Sequence, residues 1–97
     1  MQMADTIKGL EKILKGLANR RRIAIVKILA KERELPVAEI SRRIRLSFTS
    51  TSKHLGILHQ LDIVDKRQES LTVYYRLAPS LSPVAKLLLP IISNSRE

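Results

Sequence analysis

Ile7, Leu10, Ile13, Leu14 and Leu17 recur at helical spacing, with Lys8, Glu11, Lys12 and Lys15 between them. This predicts an amphipathic first helix ending near Leu17, with Asp5 as its cap. Asn19 can cap a second helix running to about Lys31. In it Ile23, Ile25, Val26, Ile28, Leu29 and Ala30 occupy nearly the whole circumference and only Lys27 turns clearly outward. A helix apolar on both sides belongs between two layers, so this one is expected to be the central strut. Pro36 suits the start of a third helix, with Val37, Ile40 and Ile44 inward and Glu39, Arg42 and Arg43 exposed. Only Arg45, Leu46 and Ser47 separate it from the next helix, a spacing that fits the tight turn of a helix-turn-helix over residues 36–61.

Ser47 caps the fourth helix. At 100° per residue Thr51, Leu55 and Leu58 share one face, flanked by His54 and Leu61, while Thr49, Ser52, Lys53, Gly56 and Gln60 project from the other. An ordinary exposed helix would carry Glu and Lys there, which favour helix and form i,i+4 pairs. Short hydroxyl side chains instead let a helix approach a groove closely, donate to phosphates and touch base edges. Asp62 can stop the helix in a left-handed conformation. Ile63 to Arg67 and Leu71 to Leu77 then alternate as two strands about Gln68-Glu69-Ser70, a wing spanning 63–77. Val73, Tyr75 and Leu77 face the core, Tyr74 and Arg76 face outward, and Lys66 and Arg67 lie near the tip.

A last helix is expected over 81–92, with Ser80 or Ser82 as cap, Pro83 in its first turn and Pro90 shortening or kinking it. Val84, Ala85, Leu87, Leu88, Leu89, Ile91 and Ile92 leave Lys86 as its sole charge. So small a monomer cannot bury all of these, and four large side chains left wet would forfeit about 6–12 kcal/mol, at roughly 1.5–3 each. The helix is therefore expected to pair with its counterpart and with the first helix of a second subunit. Ile7, Leu10, Leu14 and Leu17 (from 1–17) and Val84, Leu87, Leu88 and Ile91 (from 81–92) would form the dimer interface.

Eighteen Lys and Arg against nine Asp and Glu give a net charge of +9 on 97 residues. Such a field attracts polyanions, and its spread over several elements favours a folded basic surface over a membrane-lying stripe. Aromatic content of 3% argues against a platform for stacking single strands. There is no cysteine, hence no disulfide or thiolate chemistry, which fits a reducing compartment. No leader-like apolar run opens the chain and no segment is long enough to span a membrane; a cytoplasmic, nucleoid-associated protein of one domain (1–97) is expected. Gly9, Gly16 and Gly56 stand apart in helical stretches and cannot build a phosphate loop. Ser52 near His54 lacks an orienting third group and an oxyanion site, so no enzyme is indicated.

Leu17-Ala18-Asn19 leading to Arg22-Ile23, then Val37-Ala38-Glu39-Ile40, Leu46-Ser47, Ser52-Lys53-His54-Leu55 with Leu58, and Val73-Tyr74-Tyr75-Arg76-Leu77 occur in an order that resembles the ArsR family of winged-helix repressors. The resemblance covers about residues 10–77. It implies a mainly α fold with a small β-hairpin, a winged helix-turn-helix of four helices, two strands and a fifth helix. It also implies a homodimer joined by the first and last helices, reading successive major-groove turns of a near-palindromic operator. Pro36 and Ala38 stand where metal-sensing members carry a Cys-x-Cys pair, and 81–92 has none of the Asp, His or Glu ligands of the other familiar site. His54 and His59, five apart, face different ways. No metal and no cofactor are expected, and a small-molecule effector is left open. Asp62 replaces the glycine usual in the family, and the wing tip lacks one.

The combined expectation is a sequence-specific dimeric regulator of transcription, a repressor that occludes double-stranded DNA. Phe48, Thr49, Ser52 and Lys53 would read bases, with Phe48 either contacting a thymine methyl or covering the helix start. Arg20, Arg21, Arg42, Arg43, Ser50, His54, Lys66 and Arg67 would hold the backbone, His54 either touching a phosphate or orienting its helix, and Arg22 would either join them or serve as a structural ion-pair partner. The alternatives are an architectural protein of low specificity and a winged-helix module that binds an acidic protein.

Overall fold

Ile25, Val26 and Leu29 are at most 3% exposed and lie on helix α2 (Arg20–Lys31), which packs against every other helix. The computed structural model describes residues 6–96. Around α2 stand α1 (Ile7–Leu17), the two-residue strand β1 (Leu35–Pro36), α3 (Val37–Ile44), α4 (Phe48–Gln60), β2 (Val64–Glu69), β3 (Thr72–Leu77) and α5 (Pro83–Asn94). Ile13, Ile40, Leu55, Leu58, Ile63, Val64 and Tyr75 complete one core beneath the helices and the sheet. No helix among the described residues is long and apolar enough to cross a membrane.

The helix starts are chemically specified. Asn19 accepts from the amides of Arg21 and Arg22 at 3.0 and 3.1 Å, Ser47 from Ser50 at 3.1 Å and Ser82 from Ala85 at 3.4 Å, each meeting amides that lack a partner within the helix. The cap of α1 is Thr6, which accepts from Gly9 at 2.9 Å; Asp5, the expected cap, lies outside the described residues. Arg45 closes α3 in the left-handed region (φ 56°) and Asp62 follows α4 at φ 58°, as expected for the latter.

Several expectations need correction. The sheet has three strands in the order β1-β3-β2, with Leu35 opposite Tyr75 and Pro36 opposite Tyr74. Pro36 therefore ends an edge strand, where a missing N–H is tolerated, and caps α3 from outside. Glu69 pairs with Thr72, so the wing turn is the two residues Ser70-Leu71 and not Gln68-Glu69-Ser70. Ser70 takes the positive φ (56°) that such a turn demands and that glycine would adopt more readily. Pro90 lies inside α5, which continues to Asn94. Lys27 is half-buried and donates to the Ser95 carbonyl, tying α2 to the end of α5.

The apolar faces divide unequally. Leu17, expected at a dimer interface, is 6% exposed within the chain's own core, and Val84 and Leu88 pack partly against that core. Ile7, Leu10, Leu14, Leu87 and Ile91 remain open, at 90, 37, 44, 70 and 60% exposure.

Thr51 is fully buried and its hydroxyl has no hydrogen-bond partner among the described residues. Thr51→Val exchanges that hydroxyl for a methyl of similar size and is expected to raise the unfolding free energy by about 1 kcal/mol, read by urea denaturation. A loss of stability would show that the hydroxyl is satisfied.

Candidate nucleic-acid interface

The inner face of α4, Thr51, Leu55 and Leu58, is fully buried, which fixes the rotation of the helix and leaves Thr49 and Lys53 exposed and Ser52 partly so. A helix seated in a core by such a face cannot roll without losing about 1.5–3 kcal/mol per large apolar side chain. Phe48, at the start of the helix, is 58% exposed. Ile57, on the same helix, is 40% exposed, and periodicity does not single it out.

Position along the axis is set from behind. The Gly16 Cα lies so close to Leu61 that an added Cβ would meet Leu61 Cδ1 at 2.1 Å. This close approach seats the end of α1 on the end of α4. Arg22 Nε donates to the Gly16 carbonyl while its Nη1 lies 3.1 Å from His54 Nδ1. One guanidinium thus joins α1, α2 and α4. Burial, followed by the charges of Arg22 and Arg21, holds the His54 pKa below its ordinary value, so the ring stays neutral and accepts from Arg22 through Nδ1. The unfolded chain then takes up this proton more readily than the folded one. Stability from this clamp is complete above about pH 6.5 and is lost as pH falls through the lowered folded value. His54→Gln is expected to flatten that loss in melting temperatures measured between about pH 7.5 and 5.5; an unchanged slope would place it elsewhere.

The cations expected to hold the DNA backbone fall into two groups. Arg42 bonds both oxygens of Glu39 at 3.0 and 2.5 Å. Arg43 reaches Glu39 at 2.8 Å and Glu32 at 3.0 Å. The hydrogen bonds from Arg42 and then Arg43 bring the Glu39 carboxyl down to about 2. Arg67 reaches Glu34 at 2.7 Å and Glu69 at 3.2 Å and lies 4.6 Å over the Tyr74 ring; its hydrogen bond holds Glu34 below the usual carboxylate range. All three arginines are already partnered, although exposed pairs of this kind contribute little and can open to a stronger anion.

Arg20, Arg21, Lys53 and Lys66 make no ion pair among the described residues. Neither does Arg45, in the turn between α3 and α4, which the helical pattern marks only as a spacer although it continues the basic run Arg42-Arg43. Lys66 stands opposite Tyr75 and Arg67 opposite Tyr74, so the two point to opposite faces of the hairpin and do not act as one tip cluster. The tip itself presents Leu71, 96% exposed. Ser50 spends its amide on Ser47, while its half-buried hydroxyl makes no hydrogen bond among the described residues.

Residues 19–66 match the model of the bacterial regulatory protein arsR family. The transcriptional activator HlyU of Vibrio cholerae is 41% identical over 66 residues, which are 68% of this chain and 60% of HlyU. The structure of reduced HlyU from the same organism superposes with a TM-score of 0.73 at 35% identity, covering 86% of this chain and 83% of that one. The chain belongs to the ArsR family. Two other members extend the likeness. The arsenic resistance regulator ArsR1 of Pseudomonas putida is 35% identical over 88% of this chain and 67% of its own length. The homodimeric winged helix-turn-helix DNA-binding domain Mb0332 of Mycobacterium bovis has a TM-score of 0.71 at 29% identity, with 86% of this chain and 73% of Mb0332 covered. The fold is accordingly that of the winged helix-turn-helix ArsR regulators. Among the described residues of this ArsR-family chain, no three His, Asp or Glu side chains gather as a metal ion would require.

Proposed function

We propose that this chain is a dimeric, sequence-specific regulator of transcription that binds duplex DNA. The observation that carries the reading is the outward face of α4, where Thr49, Ser52 and Lys53, the last without an ion pair among the described residues, are held in place by a fully buried opposite face. Small hydroxyls beside one free cation suit base edges in a major groove, and Phe48 adds an apolar contact for a thymine methyl. Arg20, Arg21, Arg45 and Lys66 supply the strongest backbone contacts, Ser50 and the N–H of His54 join them, and Arg42, Arg43 and Arg67 contribute after opening their internal pairs. Dimer formation through the exposed residues of α1 and α5 gives two such helices; the related DNA-binding domain Mb0332 is itself homodimeric.

Repression by occluding a promoter is the proposed polarity, checked by transcription from a template carrying the selected site. ArsR1 is named for arsenic resistance, but this chain has no cysteine and residues 81–92 offer no Asp, Glu or His, so the proposal includes no metal sensing.

Selection of bound sites from random duplex tests the reading. A near-palindromic site preferred about a thousandfold over random duplex at physiological salt is expected. Binding without preference would make the protein architectural. Failure to bind any duplex at about 50 mM salt, where phosphate contacts are strongest, would leave a protein-binding module.

A further inference from the structure

A cavity of about 620 Å³ opens between α2, the end of α3 and the residues that follow α5. Its size falls within the range of about 300–1,000 Å³ usual for small-molecule sites. Ile23, Ala24, Ile28 and Ile44 form its apolar lining. Arg20, Arg21, Arg45 and Arg96 also line it, and among the described residues no acidic side chain does and none of these four guanidinium groups makes an ion pair. The two remaining cations are occupied, Lys27 by the Ser95 carbonyl and Arg43 by Glu39 and Glu32.

The arrangement concentrates positive charge beside an apolar lining. Arg20 to Arg22 fill the first turn of α2, where the helix dipole is already positive and which carries no acidic residue of its own. A planar guanidinium pairs well with carboxylate or phosphate oxygens. A simple anion would satisfy the arginines and leave the isoleucines wet, whereas a neutral apolar molecule would do the reverse. We propose that the cavity binds an amphipathic organic anion, a carboxylate or phosphate carried on a medium-length apolar body, and that its occupancy weakens duplex binding. The second half rests on the proposed function, because Arg20, Arg21 and Arg45 are the cations assigned there to DNA phosphates; the binding itself does not.

Octanoate, acetate and octanol titrated into the full chain by calorimetry test the site. Octanoate is expected to bind at least tenfold tighter than either of the others. Ala24→Leu, a good helix former that projects three more carbons between the lining isoleucines where the apolar body would lie, should abolish that binding with an unchanged circular-dichroism melt. Ile28→Glu, at a position outside the core cluster, provides a second variant should the first misfold. Equal binding of acetate and octanoate, or undiminished octanoate binding by the folded variants, would overturn the site. So would capture by phosphatidylglycerol vesicles without binding of free octanoate, which would assign the cations to a bilayer. Saturating octanoate should lower duplex affinity at least fivefold in the parent chain and not in Ala24→Leu. Octanoate binding with unchanged duplex affinity would overturn the regulatory half, and octanoate binding by a chain that binds no duplex would refute the DNA reading while the site stands.

Discussion

The double substitution Leu87→Glu, Ile91→Glu is expected to give a folded monomer whose affinity for the selected operator is about 10²- to 10⁴-fold lower, the gain that linking two modest sites commonly provides. Leu87 and Ile91 are 70 and 60% exposed, while Ala85 and Ile92 of the same helix are buried in the chain's own fold. The helix therefore has an inner face that the monomer satisfies and an outer face that it does not. With Ile7 and Leu14 of α1, burying what these four side chains still expose would contribute about 4–8 kcal/mol to association before its entropic cost, at about 1.5–3 kcal/mol per fully exposed side chain. Sedimentation should show one species at half the parent mass, with a preserved helical spectrum and weak binding to a single half-site. A dimer of unchanged stability would move the interface to another face.

How far this was legible in the chain depended on whether burial alone determined the answer. The outward and inward sides of α4 were readable because Thr51, Leu55 and Leu58 follow a helical period and all three are fully buried. The caps at Asn19 and Ser47 were readable because a side-chain oxygen three residues ahead of an amide is local chemistry, whereas the last helix left Ser80 and Ser82 as equal candidates until the fold chose Ser82. Strand β1 was not, since two residues have no alternation and Leu35-Pro36 is extended only because β3 lies beside it. The turn length slipped by one residue because no glycine marks Ser70 as the left-handed position. Leu17 shares its stripe with Leu10 and Leu14, yet only packing against the other helices separates core from open face. The cationic site was half legible: charge clusters are visible in sequence, but the pairing of Arg67 with Glu34, 33 residues away, is a property of the fold.

Lys53→Ala is expected to weaken binding to the selected operator by about 1–3 kcal/mol, roughly 5- to 150-fold, and to relax sequence preference. Lys53 is exposed on the outward side of α4 and makes no ion pair among the described residues, so its charge and donors are available to a base edge. Arg67→Ala should behave differently. That guanidinium already bonds Glu34 and Glu69 and stacks on Tyr74, so its transfer to a phosphate replaces contacts instead of adding them. A smaller loss, equal on operator and random duplex, is expected for it, because a phosphate contact carries no sequence information. Fluorescence anisotropy on both duplexes at two or more salt concentrations separates the cases. Equal losses on operator and random DNA for Lys53→Ala would remove its base-reading role, while a sequence-dependent loss for Arg67→Ala would bring the wing into base recognition.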